Sequence, residues 1–144
     1  MLHPSHIQPD VELADALTGQ ILVGTTPVAV YSDWERPTNG LPDDFVTVYL
    51  NGDIGGVGMD TPYANGYIMV SLYCKLNDDG SVKKNRVKKI LEQFDTLLEK
   101  KLTERYYFEY AADMYITPTT PNSSSGYSIT TLNLRWNTTS KINS

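Results

Sequence analysis

The chain has 144 residues and a net charge of −5, so it suits one domain and lacks the overall basic surface that duplex-DNA binding requires. Hydrophobic residues make up 40% and charged residues 20%, the balance of an ordinary globular fold with roughly two-thirds of its surface buried. A single cysteine excludes an internal disulfide, and no apolar run approaches the ~20 residues that would span a bilayer as a helix.

Met1 is followed by no charged-then-apolar leader, so no signal peptide is expected, and assembly in a reducing cytoplasm is. His3 and His6 flank Pro4 with no third ligand near, so the terminus reads as solvated rather than metal-binding. Val11 to Leu17 reads as a short helix. Asp10 caps it, Leu13, Ala14 and Leu17 form its apolar face, and Gly19 ends it. Too short to stand alone, it must dock on the rest of the chain.

Ile21 to Tyr31 is apolar and β-branched with Pro27 inside, which predicts an edge strand or two short ones. Asp33 to Asp44 is a loop stiffened by Pro37 and Pro42. Its carboxylates, Asp33, Glu35, Asp43 and Asp44, have no basic or histidine partner at a recognisable spacing, so they read as solvated. Phe45 to Leu50 alternates as a strand, with Val46, Val48 and Leu50 on one side. Asn51 to Ala64 then carries Gly52, Gly55, Gly56 and Gly58. A phosphate loop would lead into a helix, usually with a lysine, whereas Met59-Asp60-Thr61-Pro62 and a strand follow here. The stretch reads as a hairpin arm long enough to reach a neighbour.

Tyr67 to Leu76 is the strand on which the chain is organised. Ile68, Val70, Leu72, Cys74 and Leu76 share an apolar face, with Cys74 packing as a small hydrophobe, while Tyr67, Met69, Ser71, Tyr73 and Lys75 share a mixed one. Asn77-Asp78-Asp79-Gly80 is a turn. Val87, Ile90, Leu91, Phe94, Leu97, Leu98 and Leu102 then recur at helical spacing, the one long amphipathic helix of the chain. Lys83, Lys84, Arg86, Lys88 and Lys89 crowd its start, where the positive end of the helix dipole disfavours cations by roughly a few tenths to 1 kcal/mol per exposed charge. They read either as a solvated face or as contacts with an acidic partner or passing DNA.

Tyr106 to Ile116 is the next strand, Thr117 to Ser125 a loop, and Tyr127 to Trp136 the last strand, the two strands forming a hairpin. Ten tyrosines against three phenylalanines suit half-exposed strands and also protein contacts. The expected architecture is α+β: a mostly antiparallel or mixed β-sheet with one long helix on one face, a short N-terminal helix and an extended β-hairpin arm. Residues 1–144 form a single domain, with tails over 1–8 and 138–144 and the arm over 51–64. If the strands flanking the long helix are parallel, their connection should be a right-handed crossover.

The pattern over residues 9–137 resembles the tail-terminator (tail-completion) proteins of long-tailed bacteriophages. It is carried by the Pro27-Val28-Ala29-Val30-Tyr31 strand, the Trp34-Glu35-Arg36-Pro37 and Leu41-Pro42 loop and the Phe45-to-Leu50 strand, with the Ile68-to-Leu76 strand, the Val87-to-Leu98 helix and the closing hairpin. The resemblance implies a structural virion protein at the head–tail interface. It would form a ring, usually hexameric, that caps the tail tube, stops its polymerisation and receives the neck or head-closure protein. Implied partners are sister copies, the tail tube protein, the neck protein and genomic DNA in the lumen, with no membrane. Expected contact residues are Trp34, Asn51, Gly52, Asp53, Ile54, Gly55, Gly56, Val57, Gly58, Met59 and Tyr63, with Lys83, Lys84, Arg86, Lys88 and Lys89 facing the lumen or an acidic partner. No cofactor, metal or catalytic residue is expected, since Ser, His and Cys are not arranged as nucleophile and base. Another head–tail neck protein is the nearest alternative. From a different class, so is a small nucleic-acid-binding module using the lysines and strand aromatics.

Overall fold

The structure is a computed structural model that describes residues 7–32, 35–55, 63–111, 116–122 and 124–139. In chain order the elements are α1 (Pro9–Leu17), β1 (Leu22–Val23), β2 (Thr26–Pro27), β3 (Ala29–Ser32), β4 (Asp44–Gly55), β5 (Asn65–Lys75), α2 (Lys84–Leu98), β6 (Tyr106–Tyr110), β7 (Ile116–Asn122) and β8 (Tyr127–Thr138). The fold is α+β, as the alternation and the single amphipathic helix predict. The main sheet has the order β3-β4-β5-β8-β6, with β7 also on β8. β3 joins β4 in parallel, and every other pairing is antiparallel. β5 and β8 form its centre, matched residue for residue from Asn65 opposite Asn137 to Lys75 opposite Tyr127.

Because β5 and β6 both run antiparallel to β8, they are parallel to each other. The segment containing α2 therefore passes over β8 on its way to the sheet edge. The apolar face of β5 (Ile68, Val70, Leu72, Cys74) is continuous with Val46 and Val48 of β4 and with Leu132, Leu134 and Trp136 of β8. Onto it pack Val87, Ile90, Phe94 and Leu97 of α2 and Leu13, Ala14 and Leu17 of α1, so both helices lie in one core on one side of the sheet.

Several sequence expectations shift in detail. Asp10 does not cap α1: Gln8 occupies the cap position, without a side-chain cap bond, and Pro9 opens the helix, where its missing N–H costs nothing. The Gln8 N–H instead donates to the Tyr106 hydroxyl at 2.9 Å. Ile7 is buried, and Thr138 ends β8 with hydrogen bonds to Ala64, so these residues are held by the fold although the sequence groups them with the tails. Pro27 splits its segment, as expected, into a β1–β2 hairpin and the short edge strand β3. The predicted Tyr106–Ile116 strand is instead two pieces. β6 stops at Tyr110, and Ile116 begins β7, which runs on to Asn122 through residues 117–122 expected as loop. Propensity reasoning fails there because threonine accepts strand geometry and two prolines on an outer strand leave the β8 ladder possible. α2 ends at Leu98, one turn before Leu102, and β4 runs on into the first half of the arm.

Gly66 lies against the Trp136 indole so closely that a Cβ built on it would fall 2.9 Å from Nε1. Gly66→Ala must therefore displace a fully buried ring. It should cost about 1–3 kcal/mol in a urea melt, whereas Gly80→Ala, at a left-handed turn position with open space around it, strains only its own backbone. Equal loss of far-ultraviolet and tryptophan-fluorescence midpoints would show that the defect is global.

Candidate functional site

Strand alternation sends every second side chain to the helix-free face, and that face collects six of the ten tyrosines: Tyr31, Tyr49, Tyr67, Tyr73, Tyr107 and Tyr127. The face has two halves. At one end Phe45 is 0% exposed although no helix covers it. It stacks on Tyr73 at 4.6 Å and 5°, meets the edge of Tyr127 at 5.3 Å and has Tyr31 at 6.2 Å. The Arg36 guanidinium caps this cluster, 5.2 Å from the Phe45 ring centre and 4.9 Å from that of Tyr73. The Tyr127 hydroxyl donates to the Pro42 carbonyl at 2.8 Å. The loop between β3 and β4 is thereby strapped over the aromatic cluster.

Across the middle run Thr47, Ser71 and Thr131, side by side on three strands, with a 3.0 Å hydroxyl contact between Ser71 and Thr131. Thr47 and Ser71 are buried, so the second face of β5 is less open than its mixed composition predicts. Tall neighbours on both sides shade these short side chains.

The far half is open. Its rows are Tyr49, Met69 and Asn133, then Asn51, Tyr67, Arg135 and Glu109, then Asn65, Asn137 and Tyr107. Tyr67 is 48% exposed and Tyr107 58%, and the Arg135 guanidinium lies 5.8 Å from the Tyr67 ring centre. Tyrosine, methionine, arginine and amides with few charges are the composition of protein contact surfaces rather than of ordinary solvated faces.

The expected arm contacts fall beside this half. Asn51 and Gly52 are exposed near the end of β4, Ile54 is half-buried against the core, and Tyr63 is exposed just before β5. Asp53 and Gly55 belong to β4 by backbone, with Gly55 opposite Asn65 across an irregularity in the ladder. Trp34, Gly56, Val57, Gly58, Met59 and the two histidines lie outside the described residues. Sequence reasoning pointed to exposed strand tyrosines as contacts but not to Tyr67, Tyr107 and Arg135 as one group. Their strands were legible, but only the insertion of β8 between β5 and β6 makes them neighbours.

The basic residues are not brought to that face. Lys83 precedes α2 and Lys84, Arg86, Lys88 and Lys89 lie on its first turns, without an acidic residue in the first turn or a side-chain cap. Among the described residues only Arg86 of the five forms an ion pair, at 3.2 Å from Asp44. Asp43 pairs with Lys75 at 3.7 Å, so two of the loop carboxylates read as solvated have partners. Those partners come from β5 and α2, too far along the chain for a spacing rule to find. No group of three or more metal-ligating side chains occurs among the described residues. No described helix is long and apolar enough to cross a membrane.

Cys74 lies directly across from Asp44 in the β4–β5 ladder. Burial pushes its thiol up to about 12, and the neighbouring Asp44 charge adds to that shift. A thiol held protonated at 1% exposure should not react with iodoacetamide until the protein unfolds. The linkage has a definite sign. Between the ordinary value of 9.0 and about 12 the unfolded chain loses a proton that the folded one keeps, so stability falls as pH rises through that window. Urea melts across it should show the loss, and Cys74→Ala should reduce it, the rest coming from the Tyr106 hydroxyl, which burial also pushes up.

The two halves of the tyrosine face should also separate by mutation. Phe45→Ala should cost about 3–5 kcal/mol of folding stability and Tyr67→Ala within about 0.5 kcal/mol, measured by denaturant titration.

No protein-family profile matches the chain, and no curated protein sequence matches it.

Proposed function

We propose that this protein is a structural subunit of a phage tail: a terminator that forms a ring on the finished tail tube, stops its growth and offers the surface to which the neck protein attaches. The observation that carries the reading is the open half of the helix-free sheet face, with Tyr49, Tyr67, Met69, Tyr107 and Arg135 rooted on strands and set beside the base of the arm. An aromatic surface on rigid strands, poor in charge, suits permanent protein contact. A single sheet covered on one side leaves both a face and two outer strands for sister copies, tube and neck to share. In this reading the protein acts by shape, without catalytic residue, cofactor or metal. It is assembled in the host cytoplasm and ends in the virion. The Asn51-to-Ala64 arm reaches a neighbouring subunit, and a neck or head-closure role on the same ring surface is the nearest alternative.

The Tyr67–Arg135 contact favours one reading of another class, a module that stacks single-stranded bases on the sheet.

Electron microscopy and mass measurement with purified tail tubes test the proposal. The wild-type protein should cap tube ends as rings and arrest elongation, and Tyr67→Ala with Tyr107→Ala should weaken capping on the order of tenfold while leaving the melting curve in place. A protein that leaves tubes uncapped and growing, yet retains a single-stranded oligonucleotide in a salt-dependent way, would overturn it in favour of base stacking.

A further inference from the structure

The outward stripe of α2 is ordered by charge. Lys84, Lys88 and Lys89 come first and Glu92, Asp95 and Glu99 follow, all six exposed, with steps of three or four residues except between the adjacent Lys88 and Lys89. This order opposes the helix dipole at both ends, with cations at its positive end and carboxylates toward its negative end. It also sets like charges one turn apart, Lys84 with Lys88 and Asp95 with Glu99. Among the described residues none of the six forms an ion pair, although Asp95 accepts a hydrogen bond from the Tyr110 hydroxyl. Lys88 and Lys89 each lie one turn from Glu92, so the blocks join favourably where they meet, while their outer ends, Lys84 and Glu99, sit against the dipole and are complementary to the opposite block of a second molecule.

We infer that α2 is a contact between copies of this chain, the lysine block of one seated on the carboxylate block of the next. Residues 83–89 hold five cations and no carboxylate, whereas the other 137 residues hold seven cations against 17 carboxylates. A long polyanion such as DNA would meet that surrounding negative charge over most of its length. A three-carboxylate patch on a sister copy matches the three exposed lysines in number and opposes them in charge. Each copy presents one block of each sign on one helix, so two antiparallel copies of α2 satisfy both blocks at once, while an offset pairing repeats from subunit to subunit into the ring. The inference rests on the ring reading above for that closure, but not for the contact itself.

Charge exchange in the full-length chain tests it, read by sedimentation mass at micromolar concentration and by circular dichroism. Lys84→Glu with Lys88→Glu, and separately Glu92→Lys with Glu99→Lys, should each weaken self-association on the order of tenfold or more and leave the fold intact. Asp95 is left alone to keep its Tyr110 bond. An equimolar mixture of the two double variants, and the fourfold variant carrying both exchanges, should recover the wild-type mass, and added salt should lower it. A wild-type monomer at low salt would overturn the inference, as would unchanged assembly in either double variant or failure of the folded fourfold variant to recover. Loss of duplex-DNA binding in the lysine variant with its assembly unchanged would assign the lysines to nucleic acid instead. Rings that persist through every exchange would sink this contact while leaving the terminator reading standing, which the tube-capping assay decides separately.

Discussion

Eleven residues of β5 run beside eleven of β8, and both helices lean on the same side of that pair. This one-sided coverage follows from the alternation in β5. Only Ile68, Val70, Leu72 and Cys74 and their neighbours on β4 and β8 offer a continuous apolar surface, so α1 and α2 compete for the same side and share it. The opposite side must then satisfy itself without a second layer. It does so by polarity at the centre, where Thr47, Ser71 and Thr131 adjoin, and by aromatic contact at one end, where Arg36 and Pro42 close over Phe45 and Tyr73.

The division of that side separates two physical demands. The strapped half fixes the loop between β3 and β4 to the sheet, so an interface built there would inherit a rigid backbone. The open half keeps its rings half-exposed and in ordered rows, at little cost to the fold. Stability and contact are thus assigned to different ends of the same strands.

Most of the framework was legible because it rests on periodicity. The β4, β5 and β8 strands, the Asn77–Gly80 turn and the α2 stripe all follow from spacing two or from spacing three and four. The failures are equally physical. β7 was missed because its Thr-Pro-Thr-Thr-Pro composition imitates a loop while a long partner strand supplies a ladder. The Asp10 cap was displaced because Pro9 begins the helix two residues earlier. The pairing of Asp44 with Arg86, and the grouping of Tyr67, Arg135 and Tyr107, depend on which strands become neighbours. A strand inserted between two others erases any sequence distance from which that could be read.

The contact between Gly66 and Trp136 bears on more than stability. Alternation forbids β5 from sliding by one residue, because its apolar set would turn outward, but a slide by two leaves every side chain on its proper side. Such a slide would put Ala64 or Ile68 where the indole now rests on bare backbone. The missing side chain therefore acts as a notch that accepts one alignment of the central strands. Ala64 and Asn65, which lead into Gly66, are thereby held at one fixed height beside Asn137 and Thr138 of β8.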